Sequence, residues 1–472
     1  MTTPLDLKVA QRLPLAAATL RLLDYVTEDA FLADVFERHR GRCFERDLSF
    51  PVFVHLLADA LLGHRGSAHQ AFRQAQLEGT LETSVQAMYQ RLATLPCAVS
   101  LGFFAAAARL DTVVVCPRRD TLPRSLDDYR VLALDGKKLK YVAKRLKPLR
   151  GLKGNVFGGK LLAVQDLATG QAVVVEATPD GEAADNPLVP GAVARVRRLP
   201  DARPRLWVGD RGFCDFTALP LLSADDDDFV VRYHPKCKFH SDAAVPARTG
   251  IDEVGRNYRE EWGWLGAANN PRRVRVRMMT VQRPGAEPLR IVTSLLDADR
   301  SPAGDLLVLY RRRWGIETLF QRVVQIFDVR HLIGGTPQAT IFQAVFSMLL
   351  YNLTLTIRDY VAEGADRTPE SVSPQLLYDD LVGELTAWMK VIGPDATAAV
   401  LHATTIPDPT AFQRYLRQTL GGIWTKRWAK AKTTKRPPKK PPRAYLKGGH
   451  SSVERILRGA HEEIPIKPRK PK

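Results

Sequence analysis

Cysteine is scarce in this chain: five in 472 residues, at positions 43, 97, 116, 214 and 237. The count is odd and no paired spacing links them, which argues against a disulfide framework or a zinc ribbon and for a reducing, cytoplasmic location near the nucleoid. No leader is expected from "MTTPLDLKVAQRL", which has no basic start followed by an apolar core. Nowhere do eighteen apolar residues run together, so no membrane partner is expected. The most apolar window, Ile341 to Ile357, is broken by Gln343, Ser347, Asn352 and two threonines. It reads as a buried helix. Acidic charge is short as well: 51 Asp plus Glu face 69 Lys plus Arg, leaving +18. An excess of that size points to a polyanionic partner, nucleic acid first, and not to any particular fold.

What remains is the mix of a globular protein, 45% hydrophobic and 25% charged, long enough for roughly two to four units. Residues 1–125 carry helical periodicity, as in "FPVFVHLLADALLG" and "SVQAMYQRLATL". The second helix has Ser84 as cap and offers Gln86, Gln90 and Arg91 on its polar side, which suits a recognition helix in a major groove or, equally, an ordinary surface helix. From about 128 the pattern turns to strands. "YRVLALD" ends at Asp135, "KLLAVQD" and "QAVVVEATP" flank the turn "LATG", and "RLWVGD" ends at Asp210. Helical stretches alternate with the later strands, giving an α/β fold with a mixed sheet and flanking helices over 126–333. Within it, about 234–292 reads as a separate β-rich insertion carrying Trp262 and Trp264. A helical region follows over 334–424, then a basic tail over 425–472. Twelve Lys or Arg and no acid lie between Pro409 and Val453, and proline-rich "KRPPKKPP" argues for an extended, solvated chain.

Three carboxylates carry the chemistry. On a helix from Pro302 to about Asp328, Leu306, Leu309, Ile316, Phe320, Val323 and Phe327 form a core stripe, and Tyr310, Arg313 and Glu317 share a neighbouring one roughly 80° away. Glu317 alone is explained by an i,i+4 ion pair with Arg313. Asp135 and Asp210, each after an apolar strand and close to a glycine, are explained singly as turn formers. Together the three suggest an oxygen-only site for Mg²⁺ or Mn²⁺, two ions acting in phosphoryl transfer on a nucleic acid. Basic neighbours, Lys137, Lys138, Arg211 and Arg313, would offset phosphate charge. "HPKCKFH" places His234, Cys237 and His240 close in sequence without a fourth zinc ligand at a usual spacing.

The strands ending "LALDG" and "WVGDRGF", the insertion, and "LYRRRWGIETLF" resemble the DDE transposases of the insertion-sequence-four type, from about Phe31 to about Tyr351. That resemblance implies an RNase H-like catalytic domain after a helical N-terminal DNA-binding domain. It implies Asp135, Asp210 and Glu317 as the catalytic and metal-binding triad, 75 and 107 residues apart. Tyr310 and Arg313 match the family signature and imply contacts to DNA. The signature lysine would fall at 324, where this chain has Val324. Some relatives stack a flipped base on a tryptophan of the insertion, a role Trp262 or Trp264 would take, the rival being core tryptophans of a small sheet. The implied partners are double-stranded DNA, as terminal inverted repeats and target, and a second copy of the chain in a DNA-bound homodimer. Two rival expectations stand: a catalytically silent DNA-binding relative, and an RNase H-like nuclease acting on branched or hybrid substrates.

Overall fold

The computed structural model describes residues 4–45, 48–62, 68–79, 81–116, 122–140, 146–150, 156–283, 285–327, 334–403, 405–430 and 451–460. Among these, seven helices precede the first strand: α1 (Pro4–Gln11), α2 (Pro14–Val26), α3 (Asp29–His39), α4 (Phe50–Leu62), α5 (Ala68–Leu77), α6 (Val85–Thr94) and α7 (Cys97–Val114). The α6 start is as expected, with the Ser84 hydroxyl accepting from the Ala87 amide at 3.1 Å. Gln86 and Gln90 are exposed. Arg91 is not available beside them: its guanidinium donates to the Phe44 carbonyl at 3.1 Å, pairs with Glu45 at 3.3 Å and lies over the Phe36 ring.

Strands β1 (Arg130–Lys138), β2 (Val156–Phe157), β3 (Lys160–Asp166), β4 (Ala172–Thr178), β5 (Arg205–Gly209), β6 (Asp228–Arg232), β7 (Phe239–Ser241), β8 (Arg248–Ile251), β9 (Asn257–Leu265), β10 (Val274–Val281) and β11 (Leu289–Thr293) follow. All but β2 join one sheet, ordered β4-β3-β1-β5-β6-β11-β10-β9-β7, with β8 also on β9. The expected hairpin is β3 and β4. β1 runs antiparallel to β3 and parallel to β5, and β5 parallel to β6, which is the RNase H-like arrangement. The insertion is β-rich but not separate. β11 pairs with β6, so the inserted strands lengthen the same sheet, because an unpaired β6 edge would leave a row of open amides and carbonyls.

Alternation along β1 sorts its side chains onto two faces. Leu132 and Leu134 pack with Val189 and Val193 of α8 (Val189–Val196) and Leu219 of α9 (Ala218–Leu222). Val131 packs with Leu206, Val208 and the leucines of α10 (Ala303–Arg312), and Ala133 lies in the cluster of α11 (Trp314–Ile326). The expected single helix is therefore two segments. All six residues of the core stripe are buried, but those of α10 enter the sheet core and those of α11 a second core made with the N-terminal helices.

That second core is built round α12 (Pro337–Gly364), capped by the Thr336 hydroxyl on the Ala339 amide. α12 is long and apolar enough to cross a membrane, and its most apolar stretch is wholly buried inside the protein. Most of its interrupting polar residues have partners there, although the Ser347 hydroxyl is buried without one among the described residues. Asn352 accepts from the Ala172 amide at 3.0 Å and donates to the Ala172 carbonyl at 2.7 Å, satisfying both backbone groups at the start of the edge strand β4. Phe342 and Phe346 meet Phe103 of α7, each buried ring contributing roughly 1.5–3 kcal/mol. Helices before and after the sheet thus share one core, and the expected division at 125 and 334 does not separate two. After α13 (Pro374–Val391), α14 (Gly393–Leu401) and α15 (Pro409–Leu420), β12 (Ser451–Ser452) pairs with β2 and α16 (Val453–Leu457) buries Val453, while the expectation for 431–450 and 461–472 lies outside the described residues. Arg455 binds Asp180 at 2.9 Å and Glu182 at 2.7 Å, which replaces the expected solvated chain over 451–460.

Candidate active site

β1 and β5 are in parallel register at Ala133 and Val208, where pairing ends on that side. Asp135 and Asp210 each lie two residues further on, so they are neighbours across the strand ends and share the face of Ala133 and Val208. That is the face covered by α10 and α11. Asp135 does not end β1 as expected. The strand runs on to Lys138 against β3, with Asp135 opposite Ala163, so the acid is at a strand end only on its parallel side. Asp210 directly follows β5 and accepts from the Gly212 amide at 2.7 Å, capping a short turn.

Glu317, in the first turn of α11, comes down on the same face. Its carboxylate accepts from Arg313 Nη2 at 3.0 Å. Arg313 is only 5% exposed, and its Nε and Nη1 have no hydrogen-bond partner in the structure. Two charge-bearing donors therefore remain open beside the acids, an arrangement that suits phosphate oxygens. Burial works against the guanidinium charge, while Tyr310, the Glu317 hydrogen bond and the charge of Asp135 hold it. Tyr310 is buried under α10, and burial pushes its phenol up. Burial also raises the Asp135 carboxyl to about 6; Arg313 opposes the rise, and the charges of Asp210 and Glu317 add to it. The three acids thus feel one another.

Among the described residues, no group of three or more His, Cys, Asp or Glu is arranged to hold a metal ion. Glu317 is turned to Arg313 and Asp210 to its own loop. The donor chemistry nonetheless fits a hard divalent cation: all oxygen, with a carboxyl whose ionisation is opposed by two like charges that a cation would offset.

The arginine run divides three ways. Arg311 reaches the β8–β9 turn, at 2.6 Å from Glu253 and 3.6 Å from Asp252. Arg312 is exposed and Arg313 faces the acids. Lys137 lies over the Phe320 ring of α11, and Lys138 over Phe157, away from the acids on the opposite face. Arg211 is half-buried beside Asp210. Val324, at the position of the expected lysine, packs against the helical core. Trp262 is 8% exposed and donates its ring N–H to the Leu296 carbonyl at 2.8 Å, so it is a core residue of the insertion. Trp264 is half-buried, with Arg273 and Arg275 against its ring at 4.3 and 5.3 Å. In "HPKCKFH", Cys237 is buried and donates to the Cys214 carbonyl, and His234 accepts from the Lys236 amide. On the face of β1 opposite Asp135, a further contact had no signal in the sequence. Asp185 lies over Gly136, where a Cβ would come within 1.7 Å of its carboxylate, and pairs with Lys160 at 2.9 Å.

Residues 126–353 match the family model of the transposase DDE domain. The match spans β1 to the middle of α12, so both aspartates and Glu317 fall inside the matched stretch. A solved structure of a piggyBac transposase synaptic complex with hairpin DNA is similar over 86% of this chain and 85% of its own, at 12% identity and a TM-score of 0.41. A search of curated protein sequences gives no match.

Proposed function

We propose that this protein is a DNA transposase of the insertion-sequence-four type, which binds the terminal inverted repeats of its element as a homodimer and carries out metal-dependent cleavage and strand transfer. One observation carries the reading: within a transposase DDE domain, Asp135 and Asp210 stand in register on the sheet face under α11, and the ionisation of Asp135 is opposed by both Asp210 and Glu317. Asp135, Asp210 and Glu317 would hold Mg²⁺ or Mn²⁺, with Glu317 turning from Arg313 as the site fills. A pair of such ions, when bound, supplies activation of the attacking hydroxyl and stabilisation of the leaving oxygen. Arg313 then offers its open donors to the phosphate next to the cut, with Tyr310 fixing its plane from beneath. Arg211 and Trp264 lie where DNA contacts would extend from the acids and the insertion.

The test is strand cleavage and joining on DNA flanking the gene, with Mg²⁺ or Mn²⁺, by the wild type and Asp135→Asn. Loss of both reactions with retained DNA binding supports the assignment, and an Asn variant that works at the wild-type rate rejects it. A second reading is a catalytically silent DNA-binding relative. Val324 and the Arg313–Glu317 pair favour it. Under that reading the wild type binds the ends and leaves them intact.

A further inference from the structure

Across α11 from Glu317 lies a cavity of about 1070 Å³. Counted along the helix, Gly315, Thr318 and Arg322, which line it, point roughly 100–160° away from Glu317. The cavity is therefore distinct from the acids and shares only the helix with them. Six cationic and four acidic side chains line it. Two of the cations are already matched, Arg358 with Asp359 at 2.8 Å and Arg417 with Glu363 at 3.0 Å. Among the described residues, Arg312, Arg322, Arg367 and Lys430 have no carboxylate within ion-pair distance. Arg322 makes only a 3.5 Å contact to Gln325, and Arg367 lies over the Trp424 ring. Solvent reaches Lys430, yet the cavity walls and then the charges of Arg358 and Arg322 push its ammonium below the ordinary lysine range, while Glu370 opposes them.

Against the four acids the six cations leave an excess of two positive charges, and the cations without an ion pair among the described residues line one cavity, an arrangement that offers sites to a polyanion. Size and spacing narrow the anion. Arg312 ends α10, Arg322 lies on α11, Arg367 follows α12 and Lys430 follows α15, and a cavity of about 1070 Å³ is more than one compact ion fills. We propose that this cavity is a second nucleic-acid contact, which receives backbone phosphates of DNA on the side of α11 away from the acids. It rests on the transposase reading. Its consequence is that one helix carries Glu317 on one side and a phosphate clamp on the other, so DNA held in the clamp sets where α11 lies over Asp135.

The test compares the full chain with the double variant Arg322→Gln, Lys430→Gln, both side chains solvent-accessible and neither in the acid site. Binding of a labelled duplex is measured by fluorescence anisotropy across a salt series, with circular dichroism melts to compare folding. The expected result is weaker binding to every duplex sequence and a slope of log affinity against log salt smaller by about 2, near one per lost phosphate contact. An unchanged slope in a variant that melts like the wild type overturns the clamp and leaves the transposase reading standing. A wild type that binds no duplex overturns both. Inorganic phosphate is run alongside. If it stabilises the wild type and not the variant while the duplex slopes agree, the cavity takes a small free anion and the DNA assignment falls.

Discussion

Asp111, near the end of α7, is fully buried where the helices meet the edge of the sheet. Its carboxyl accepts from Gln171 Nε2 at 3.0 Å and faces Thr356 Oγ1 at 3.0 Å. Burial raises it to about 7; the Thr356 and Gln171 hydrogen bonds oppose the rise, and the charge of Asp359 adds to it. The neutral form has a complete pattern. A protonated Asp111 donates to Thr356 Oγ1, which passes its own hydrogen to the Asn352 carbonyl at 3.3 Å. Asparagine at 111 reproduces that pattern, its amide donating to Thr356 and its carbonyl accepting from Gln171. The sign follows from linkage. A folded pKa above the unfolded one means a contribution fully present below about 3.8 and lost as pH rises through about 7. By pH 8 the loss is roughly 4 kcal/mol, of which about 2.5 kcal/mol accrues between pH 5 and pH 8. Urea unfolding of wild type and Asp111→Asn across that range measures it. The variant's advantage should grow with pH by that amount, to within a factor of about two. Parallel profiles for the two proteins would refute the reasoning.

Three further outcomes are expected. Because a metal-binding carboxyl must be ionised and Asp135 titrates near 6, cleavage at sub-saturating metal should rise through pH 6 and level above pH 7; a rate already level at pH 5 contradicts this. Gly136→Ala should cost about 1–2 kcal/mol, since its Cβ displaces Asp185 from Lys160; with Asp185→Ala already present, denaturant melts should show the second change adding little. Val324→Lys should tighten end binding and raise the salt slope by about 1 if the helix meets DNA along the Glu317 stripe, and an unchanged slope in anisotropy titrations argues against that contact.

What period and chemistry fix locally was legible: apolar strands run up to Asp135 and Asp210, and Tyr310, Arg313 and Glu317 fall on one side of a helical stretch. That β1 continues past Asp135 to Lys138 and that the helix breaks at Arg313 was not. The partners of the arginines were not legible. Arg91 has the look of a surface contact on its own helix, yet it closes on Phe36, Phe44 and Glu45 from a segment more than forty residues away. Trp262 likewise reads as a candidate stacking ring until the Leu296 carbonyl is seen to hold it.

Composition and pattern alone decided the mixed α/β class, the basic character and which acids lie on or next to apolar strands, since each depends on near neighbours in the chain or on summed charge. Tertiary structure decided the rest. It broke the helix carrying Glu317 at Arg313 because its halves bury against different cores, carried the insertion into the sheet because β6 needed a partner, and joined the first and last helices round α12. Such outcomes depend on surfaces from distant segments meeting, and periodicity carries no record of which surface will be met.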